Sequence, residues 1–489
     1  MRADSLRNPY SLAFACLLLF AIARLWIEPI RSSFWVDEMV TVFVVHHGAA
    51  DPSLAIAPQV SQSIYYNVAR AADTIFGVSE DGYRIPSILF AALALLLVGR
   101  VAARLIDPKA GWFAAFACLA LRGFNQESSD ARPYAMGFCI VAAAFLFLVR
   151  WLDSEKWLDA AGFVICAALI WRVHLLFWPL YLAFGVYAVV RMVRGETKVN
   201  WTRALSVFAL LGLALLPQGI EAFSLYREAG RHAFADAPTL RQLVDALKWK
   251  LMLECGAGAW IVARALRWKH ASKFPWAAAS LIAGWWLIHP LSLFALSWIT
   301  GNSMFVPRYL SPALPGAALA ATFLASRFVP PVEWNRVTLV FAAAVCLVVG
   351  QWGRLPPSSS DWRAAALAVN RLGADTPVVC PSPFVEAVSP VWRPDYPLPG
   401  FLYAHLPVYP VHGKQILFPF KDSPEAERYA VSLSRSVFPS AGRFAIYGGR
   451  GNVRYWRHWF EARPELAGWT NQRLGSFGDV DVVLFERPR

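Results

Sequence analysis

The sequence has few charged residues for its length. Of its 489 residues, 16% are Asp, Glu, Lys or Arg and 57% are hydrophobic, whereas ordinary soluble domains hold about 25% charged and about 45–50% apolar residues. Intrinsic disorder requires low hydrophobicity, so this composition excludes it. It also leaves too few polar side chains to cover a soluble protein of this size. We therefore expect a polytopic membrane protein.

Cysteine is scarce, and its placement does not suggest disulfide or metal chemistry. Of the seven cysteines, only Cys380 lies outside the apolar runs, and buried free cysteines behave as small hydrophobic residues. Neither a disulfide framework nor a zinc spacing is present. The neighbouring His46 and His47 leave a metal site open, but a transition-metal site needs three or four convergent ligands. We predict no metal and no cofactor.

Basic residues exceed acidic ones, with a formal net charge of +13. They cluster at the ends of apolar runs, which the positive-inside rule of membrane topology explains. We therefore expect no nucleic-acid partner. The sequence also has no glycine-rich nucleotide loop and no P-loop, so no nucleotide-binding site is predicted.

Charge-free stretches of near-spanning length predict eight membrane helices, at 8–23, 85–99, 133–149, 173–190, 204–220, 274–307, 309–326 and 337–353. A spanning helix needs about 20 apolar residues, and Arg or Lys at its ends can extend to the surface. We add three shorter runs, 110–121, 157–171 and 251–266, because leaving out any one reverses the charge bias downstream. The predicted fold is an α-helical polytopic membrane protein with about eleven transmembrane helices.

The distribution of Lys and Arg orients these helices. With the N-terminus in the cytoplasm, the short cytoplasmic ends hold more Lys and Arg than the longer outer loops do. The C-terminus then lies outside the membrane, as do the loops 28–83, 122–132, 221–248 and 299–308. We expect a multi-pass protein of the cytoplasmic (inner) membrane.

The composition changes at about residue 354, after which no run is long enough to span a bilayer. A helix is expected over 361–373, with Asp361 as its N-cap and Gly373 as its stop. Short strands are expected at 376–382, 443–449 and 481–487, with a helix near 453–461 and loops over 390–420. Domain 354–489 is therefore predicted to be an extracytoplasmic α/β domain, and 1–353 the transmembrane catalytic domain with its long first outer loop 28–83.

The first outer loop opens with FWVDEMVTVFVVHHG, which places Asp37 and Glu38 next to each other beside aromatic residues. Carboxylates in an apolar setting are costly unless they are paired or act as bases. The alternative is an acidic pair in which Asp37 caps a helix. Further along this loop, residues 61–77 have the spacing of an amphipathic helix at the membrane interface.

The second outer loop ends in Asp130 and Arg132, directly before the fourth helix. A guanidinium group keeps its charge and suits the geometry of phosphate, although Arg132 could equally be an interfacial anchor. Other polar residues are expected on the same membrane face: His174, Arg308, Tyr309 and, as a helix-start anchor, Arg84.

Five motifs in register carry a resemblance: FWVDE in the first loop, YRIPSILF at the second helix, DARPYA at the fourth, a His after the fifth, and PRYLSPALPG at the tenth. Their order is similar to that of the polyprenyl-phosphate-sugar-dependent glycosyltransferases of GT-C fold. The resemblance is closest to the protein O-mannosyltransferase and aminoarabinose transferase group, the family 39-like enzymes.

This resemblance implies that Asp37 is the catalytic carboxylate and that Glu38 orients it or binds the acceptor. It implies substrate contacts from Arg132, as a phosphate ligand, and from the neighbouring Asp130 and Tyr134. The chain departs from the family where QVSQSIYYNVA replaces a segment that often carries Lys. Tyr65 or Tyr66 would keep the aromatic role there, but the basic donor contact is missing.

The expected function is an inverting glycosyltransferase that moves a hexose or pentose from a polyprenyl-phosphate donor to a hydroxyl of an extracytoplasmic glycan, lipid or protein. Asp37 would be the general base, while the donor and membrane lipids are the other expected partners. A transporter or flippase for a lipid-linked or anionic solute is the alternative, although the internal repeats of transporters are not evident. A scaffold whose tail binds a partner would leave Asp37 without a role.

Overall fold

A computed structural model describes residues 9–226, 236–268, 274–353 and 355–488. They pack into two compact units. The first contains Met1–Ile30, Ser63–Tyr65 and Arg84–Leu355, and the second contains Arg31–Gln62, Tyr66–Tyr83 and Pro356–Arg489. The first outer loop is therefore grouped largely with the C-terminal residues. The predicted division between residues 353 and 354 stays a prediction, and Arg354 lies outside the described residues.

Eight helices among the described residues are long and apolar enough to cross a membrane, and each overlaps one of the eight apolar runs. They are Pro9–Ile27, Glu80–Leu105, Tyr134–Ser154, Leu175–Val193, Trp201–Phe223, Trp276–Thr300, Pro307–Ser326 and Trp334–Gln351. The three weaker runs form the helices Gly111–Leu119, Trp157–Val173 and Trp249–Ala265. At 9, 17 and 17 residues these are shorter than the about 20 that a span needs. Their crossing of the membrane stays a prediction.

Burial differs strongly between these helices. In the apolar stretches of Tyr134–Ser154 and Pro307–Ser326, 78% and 83% of the residues are buried. In that of Trp201–Phe223, only 17% are buried. The exposed side chains of that last helix include Leu205, Leu210 and Leu213, which a lipid environment accommodates and water does not. The multi-pass membrane architecture is confirmed. The first unit also contains the short helices Arg122–Ser128 and Leu240–Ala246, and Pro307–Ser326 begins with the tighter turns Pro307–Ala313.

The second unit is built on a five-stranded sheet in the order β2-β1-β3-β5-β4. Its strands are β1 (Pro377–Pro381), β2 (Lys414–Phe418), β3 (Arg443–Gly449), β4 (Thr470–Arg473) and β5 (Val480–Glu486). β1 pairs in parallel with β2 and β3, while β5 is antiparallel to β3 and β4. The core packs the stacked rings of Phe438, Phe444 and Phe485. The C-terminal α/β fold is confirmed.

The predicted start and end of the first helix in the C-terminal region agree with the structure. Asp361 accepts a hydrogen bond from the Ala364 N–H at 3.0 Å and starts the helix Trp362–Asn370. Gly373 follows at a φ of +92°, which only glycine adopts readily. The predicted strands correspond to β1, β3 and β5. The expectation of loops over 390–420 is wrong at β2, which gains its strand conformation by pairing with the buried β1.

The remaining helices of the second unit come from both parts of the chain. They are Val36–His47, Tyr65–Phe76, His405–Val408, Pro424–Arg435, Val437–Ala441 and Arg450–Glu461, with short turns of helix at Pro52–Ile56, Pro58–Gln62, Phe401–Tyr403 and Pro464–Leu466. Tyr65–Phe76 confirms the helix predicted over 61–77. Its location at a membrane interface stays a prediction.

Candidate functional site

The FWVDE motif forms the start of a helix. Trp35 is extended, the helix begins at Val36, and the Glu38 carboxylate accepts a hydrogen bond from the Trp35 N–H at 3.2 Å. Glu38 is fully buried. The capping acid is therefore Glu38, and the interpretation of Asp37 as the cap is wrong. Asp37 lies half-buried in the first turn, where the helix dipole favours a negative charge.

Residues from the distal chain hold the segment that precedes Asp37. The Tyr409 hydroxyl accepts a hydrogen bond from the Phe34 N–H at 2.7 Å and donates one to Glu80 Oε1 at 2.8 Å. Arg363 also binds Glu80, at 3.0 Å, and donates to the Arg31 carbonyl at 2.9 Å. Burial is the main cause that raises the pKa of Tyr409, so its hydroxyl keeps the proton that it donates. All these residues belong to the second unit.

In the first unit, DARPYA forms a tight turn before the helix Tyr134–Ser154. The Arg132 N–H donates to the Asp130 carbonyl at 2.8 Å. Asp130 and Tyr134 are buried, while Arg132 is half-buried. The Ser87 hydroxyl lies 3.5 Å from the Arg132 carbonyl, so YRIPSILF and DARPYA are neighbours in space.

The sequence-predicted residues His174, Arg308 and Tyr309 come together with Tyr134. The His174 ring lies 5.8 Å from the Tyr134 ring and 5.2 Å from the Tyr309 ring. The Arg308 guanidinium lies 5.2 Å from the centre of the Tyr309 ring, within cation–π range. Arg132 and Arg308 both act electrostatically on Tyr134 and on His174. Arg132 and Arg308 are therefore both close enough to interact electrostatically with this aromatic cluster.

His289 belongs to this cluster and was missed by the sequence analysis. Its Nε2–H donates to the Tyr309 carbonyl at 2.8 Å, so its Nδ1 is an acceptor. A histidine inside the apolar run 274–307 was a usable signal, because polar residues within spanning helices often mark functional sites. His174 accepts from the Leu176 N–H at Nδ1, at 3.3 Å, which leaves the proton of a neutral ring on Nε2 as a donor.

In this cluster, the Tyr134 hydroxyl and His289 Nδ1 are buried without a hydrogen-bond partner among the described residues. Buried polar groups are normally paired. A bound polar group would complete their hydrogen bonding. With Arg132 and Arg308 beside them, the cluster suits an anionic group that also accepts hydrogen bonds.

Three predicted residues use their polar groups in internal contacts. Arg84 is buried and donates to the Ile30 carbonyl at 2.8 Å, in agreement with its interpretation as an anchor. The Tyr65 hydroxyl lies 3.0 Å from the Ser87 hydroxyl. Tyr66 donates to the Val60 carbonyl at 2.6 Å. Substrate contacts from these residues stay predictions.

The two histidines of the first loop contact different carboxylates. His46 Nε2 lies 3.3 Å from Asp73, while His47 Nδ1 lies 3.8 Å from Asp51. The His47 ring also stacks on Phe43. Each histidine therefore contacts a different aspartate.

The glycine of PRYLSPALPG permits a close helix contact. A Cβ at Gly316 would lie 2.7 Å from the Trp286 backbone nitrogen, which is too close for any other residue. Trp285 Nε1 donates to the Pro312 carbonyl at 2.8 Å in the same contact. This contact joins the helix pair that carries His289, Arg308 and Tyr309.

Comparison with known proteins gives a family match and a shared fold. Residues 64–217 match the dolichyl-phosphate-mannose-protein mannosyltransferase family. The structure is similar to that of ArnT from Cupriavidus metallidurans bound to undecaprenyl phosphate, with a TM-score of 0.57, 12% identity and 97% of each chain covered. The apo state of that ArnT gives a TM-score of 0.55 at 11% identity, covering 96% of this chain and 97% of ArnT. No curated protein sequence matches.

These matches agree with the resemblance drawn from the five motifs. The family match includes DARPYA and His174, while the structural similarity extends over both units. The partial family match and the shared fold together indicate a glycosyltransferase. The chain is a multi-pass membrane protein with the fold of the GT-C glycosyltransferases.

Proposed function

We propose that the protein transfers a sugar from a polyprenyl-phosphate donor to a hydroxyl group of an acceptor. The observation that carries this proposal is the aromatic cluster on which Arg132 and Arg308 act electrostatically. In it, the Tyr134 hydroxyl and His289 Nδ1 are buried without a hydrogen-bond partner among the described residues. A lipid phosphate supplies the negative charge and the acceptor oxygens that this cluster suits. The undecaprenyl phosphate bound to ArnT supports the same class of donor.

In the proposed reaction, Asp37 accepts the proton of the acceptor hydroxyl as its oxygen attacks the anomeric carbon. The bond from that carbon to the phosphate oxygen breaks, and the lipid phosphate leaves with the electron pair. Arg132 and Arg308 stabilise the negative charge that grows on the leaving group, while His174 donates a hydrogen bond from Nε2. A single displacement inverts the anomeric centre. Glu38 keeps the helix start in place and thereby orients Asp37.

The proposed orientation places the reaction outside the cytoplasmic membrane, with the acceptor a glycan, lipid or protein. It also assigns catalysis to the domain 1–353, including its first outer loop 28–83, and an extracytoplasmic location to 354–489. A cysteine introduced at the exposed Gln472 should react with a membrane-impermeant maleimide in intact cells. Labelling only after the cells are opened would contradict this orientation.

Transfer and transport are separated by the fate of the donor. The purified protein is reconstituted in liposomes with polyprenyl-phosphate donors carrying a radiolabelled sugar, together with candidate acceptors. Our proposal predicts that label leaves the lipid and free polyprenyl phosphate accumulates in equal amount. Movement of intact donor between leaflets, with no release of polyprenyl phosphate from any donor, would favour a flippase instead.

A further inference from the structure

A second basic site lies in the C-terminal sheet region, apart from every residue assigned a role above. A pocket of about 390 Å³ is lined by Arg450, Arg454, Arg457 and Arg473 together with Ser476 and Asp481. The first three arginines come from the helix Arg450–Glu461, which directly follows β3. Their spacing of four and three residues puts them on one side of that helix. Arg473 joins them from β4.

The charges in this pocket are not balanced by protein groups. Asp481 pairs with Arg473 and lies 3.9 Å from Arg450 Nε. Arg457 pairs with Glu461 at 2.9 Å. Four guanidinium groups thus share two carboxylates. The Nε of Arg450 is also buried without a hydrogen-bond partner among the described residues.

We propose that this pocket binds a phosphate monoester. Four cations around one small pocket repel one another unless an anion enters, and a phosphate dianion offsets two of them. The planar guanidinium fork matches phosphate oxygens in paired hydrogen bonds. A singly charged carboxylate would leave half of the excess charge in place. The source is a lipid headgroup that ends in a phosphate monoester, as in phosphatidic acid, or a soluble sugar phosphate, since both present the same chemical group.

The proposal is independent of sugar transfer and is tested by binding alone. Inorganic phosphate is titrated calorimetrically into the full-length protein in detergent, against chloride at equal ionic strength. The double variant Arg454→Gln/Arg457→Gln should bind phosphate at least about tenfold more weakly, because each charged hydrogen bond contributes substantially to affinity. The control Arg371→Gln/Arg428→Gln removes two arginines outside the pocket, for the same change in net charge, and should bind like the unaltered protein.

A third variant gives a change of opposite sign. Asp481→Asn removes the acid that lines the pocket and should tighten phosphate binding, which a merely misfolded variant would not do. An absence of phosphate binding, equal weakening in the control pair, or equally tight binding of glucuronate would each overturn the proposal.

Two further arms identify the source of the phosphate. Glucose 1-phosphate is titrated as the soluble monoester. In parallel, inorganic phosphate is titrated into protein in phosphatidylcholine nanodiscs with and without phosphatidic acid. Weaker phosphate binding in the nanodiscs that contain phosphatidic acid supports a lipid headgroup, provided that the arginine double variant shows no such difference between the two kinds of nanodisc. Unchanged binding there, with binding of glucose 1-phosphate, supports a soluble sugar phosphate.

Discussion

The hydroxyl of Tyr409 accepts a hydrogen bond from the backbone N–H of Phe34 at 2.7 Å. The two residues lie 375 positions apart in sequence, and Phe34 is three residues before Asp37. The same hydroxyl donates to Glu80, which Arg363 also binds. The C-terminal part of the chain therefore fixes the backbone from which the proposed base projects.

Removing this hydroxyl should lower turnover. Tyr409→Phe keeps the ring but leaves the Phe34 N–H without this partner, and leaving a buried donor unsatisfied costs about 1–3 kcal/mol. We expect the turnover number of sugar transfer to fall by about tenfold, a loss of about 1.4 kcal/mol in transition-state stabilisation, while the donor Kd changes little. Tyr455→Phe, at an exposed position, is the matched control. Normal turnover in folded Tyr409→Phe would show that the contact does not position Asp37.

Arg132 should contribute to both donor binding and turnover. Arg132→Ala removes a charge contact to the phosphate that strengthens as the leaving group forms, so donor affinity and turnover should each fall by about tenfold or more. Arg132→Lys should recover only part of the loss, because a point charge lacks the guanidinium fork. The exposed Arg203→Ala serves as control. Unchanged donor affinity in Arg132→Ala would support the anchor interpretation.

Gly316 should be intolerant of any side chain. Gly316→Ala forces a Cβ against backbone atoms of Trp285 and Trp286, which cannot move as a side-chain end would, and overpacking of this kind costs about 1–3 kcal/mol. We expect a lower melting temperature in detergent and weaker donor binding, because the displaced helices carry His289, Arg308 and Tyr309. Gly185→Ala, where nothing lies within 4 Å of the added Cβ, should be neutral or stabilising. Equal melting temperatures for the two variants would contradict this packing account.

His405 should make the second unit sensitive to acid. It is buried against the Trp362 and Tyr447 rings, and burial lowers its pKa to about 3. An unfolded histidine titrates near 6.5, so below that pH only the unfolded state gains this proton. Stability therefore falls as the pH decreases from about 6.5 towards about 3, by about 2 kcal/mol at pH 5.

Thermal unfolding of the full chain at pH 7 and pH 5 measures this effect. His405→Leu should lose less of its melting temperature on acidification than the unaltered protein does. The exposed His412→Gln should behave like the unaltered protein. An identical pH dependence in His405→Leu would assign the acid sensitivity to other groups.

The sequence predicted the parts of this protein that short-range patterns determine. Uninterrupted apolar runs located the eight long apolar helices of the described residues, because spanning a bilayer requires such runs. The Asp361 cap and the Gly373 stop bounded one tail helix through contacts within a few residues. His174, Arg308 and Tyr309 were expected on one membrane face because each lies at or beside an end of a predicted helix, and the structure brings them together.

Contacts between distant residues could not be predicted in the same way. Nothing near Phe34 indicates Tyr409, and β2 becomes a strand through its pairing with β1. Glu38 was assigned to catalysis alongside Asp37, since adjacent acids have the same sequence context. The backbone direction at Trp35 decides which of them turns back to cap the helix.

The central claim, that Asp37 is the base of a sugar transfer, is tested most directly by single-turnover transfer from a radiolabelled polyprenyl-phosphate sugar. Asp37→Asn is nearly isosteric but cannot accept the proton, so the transfer rate should fall by about 10²-fold or more while the donor Kd stays within error. Folding of the variant is confirmed by its melting temperature. A near-normal rate in folded Asp37→Asn would contradict the account.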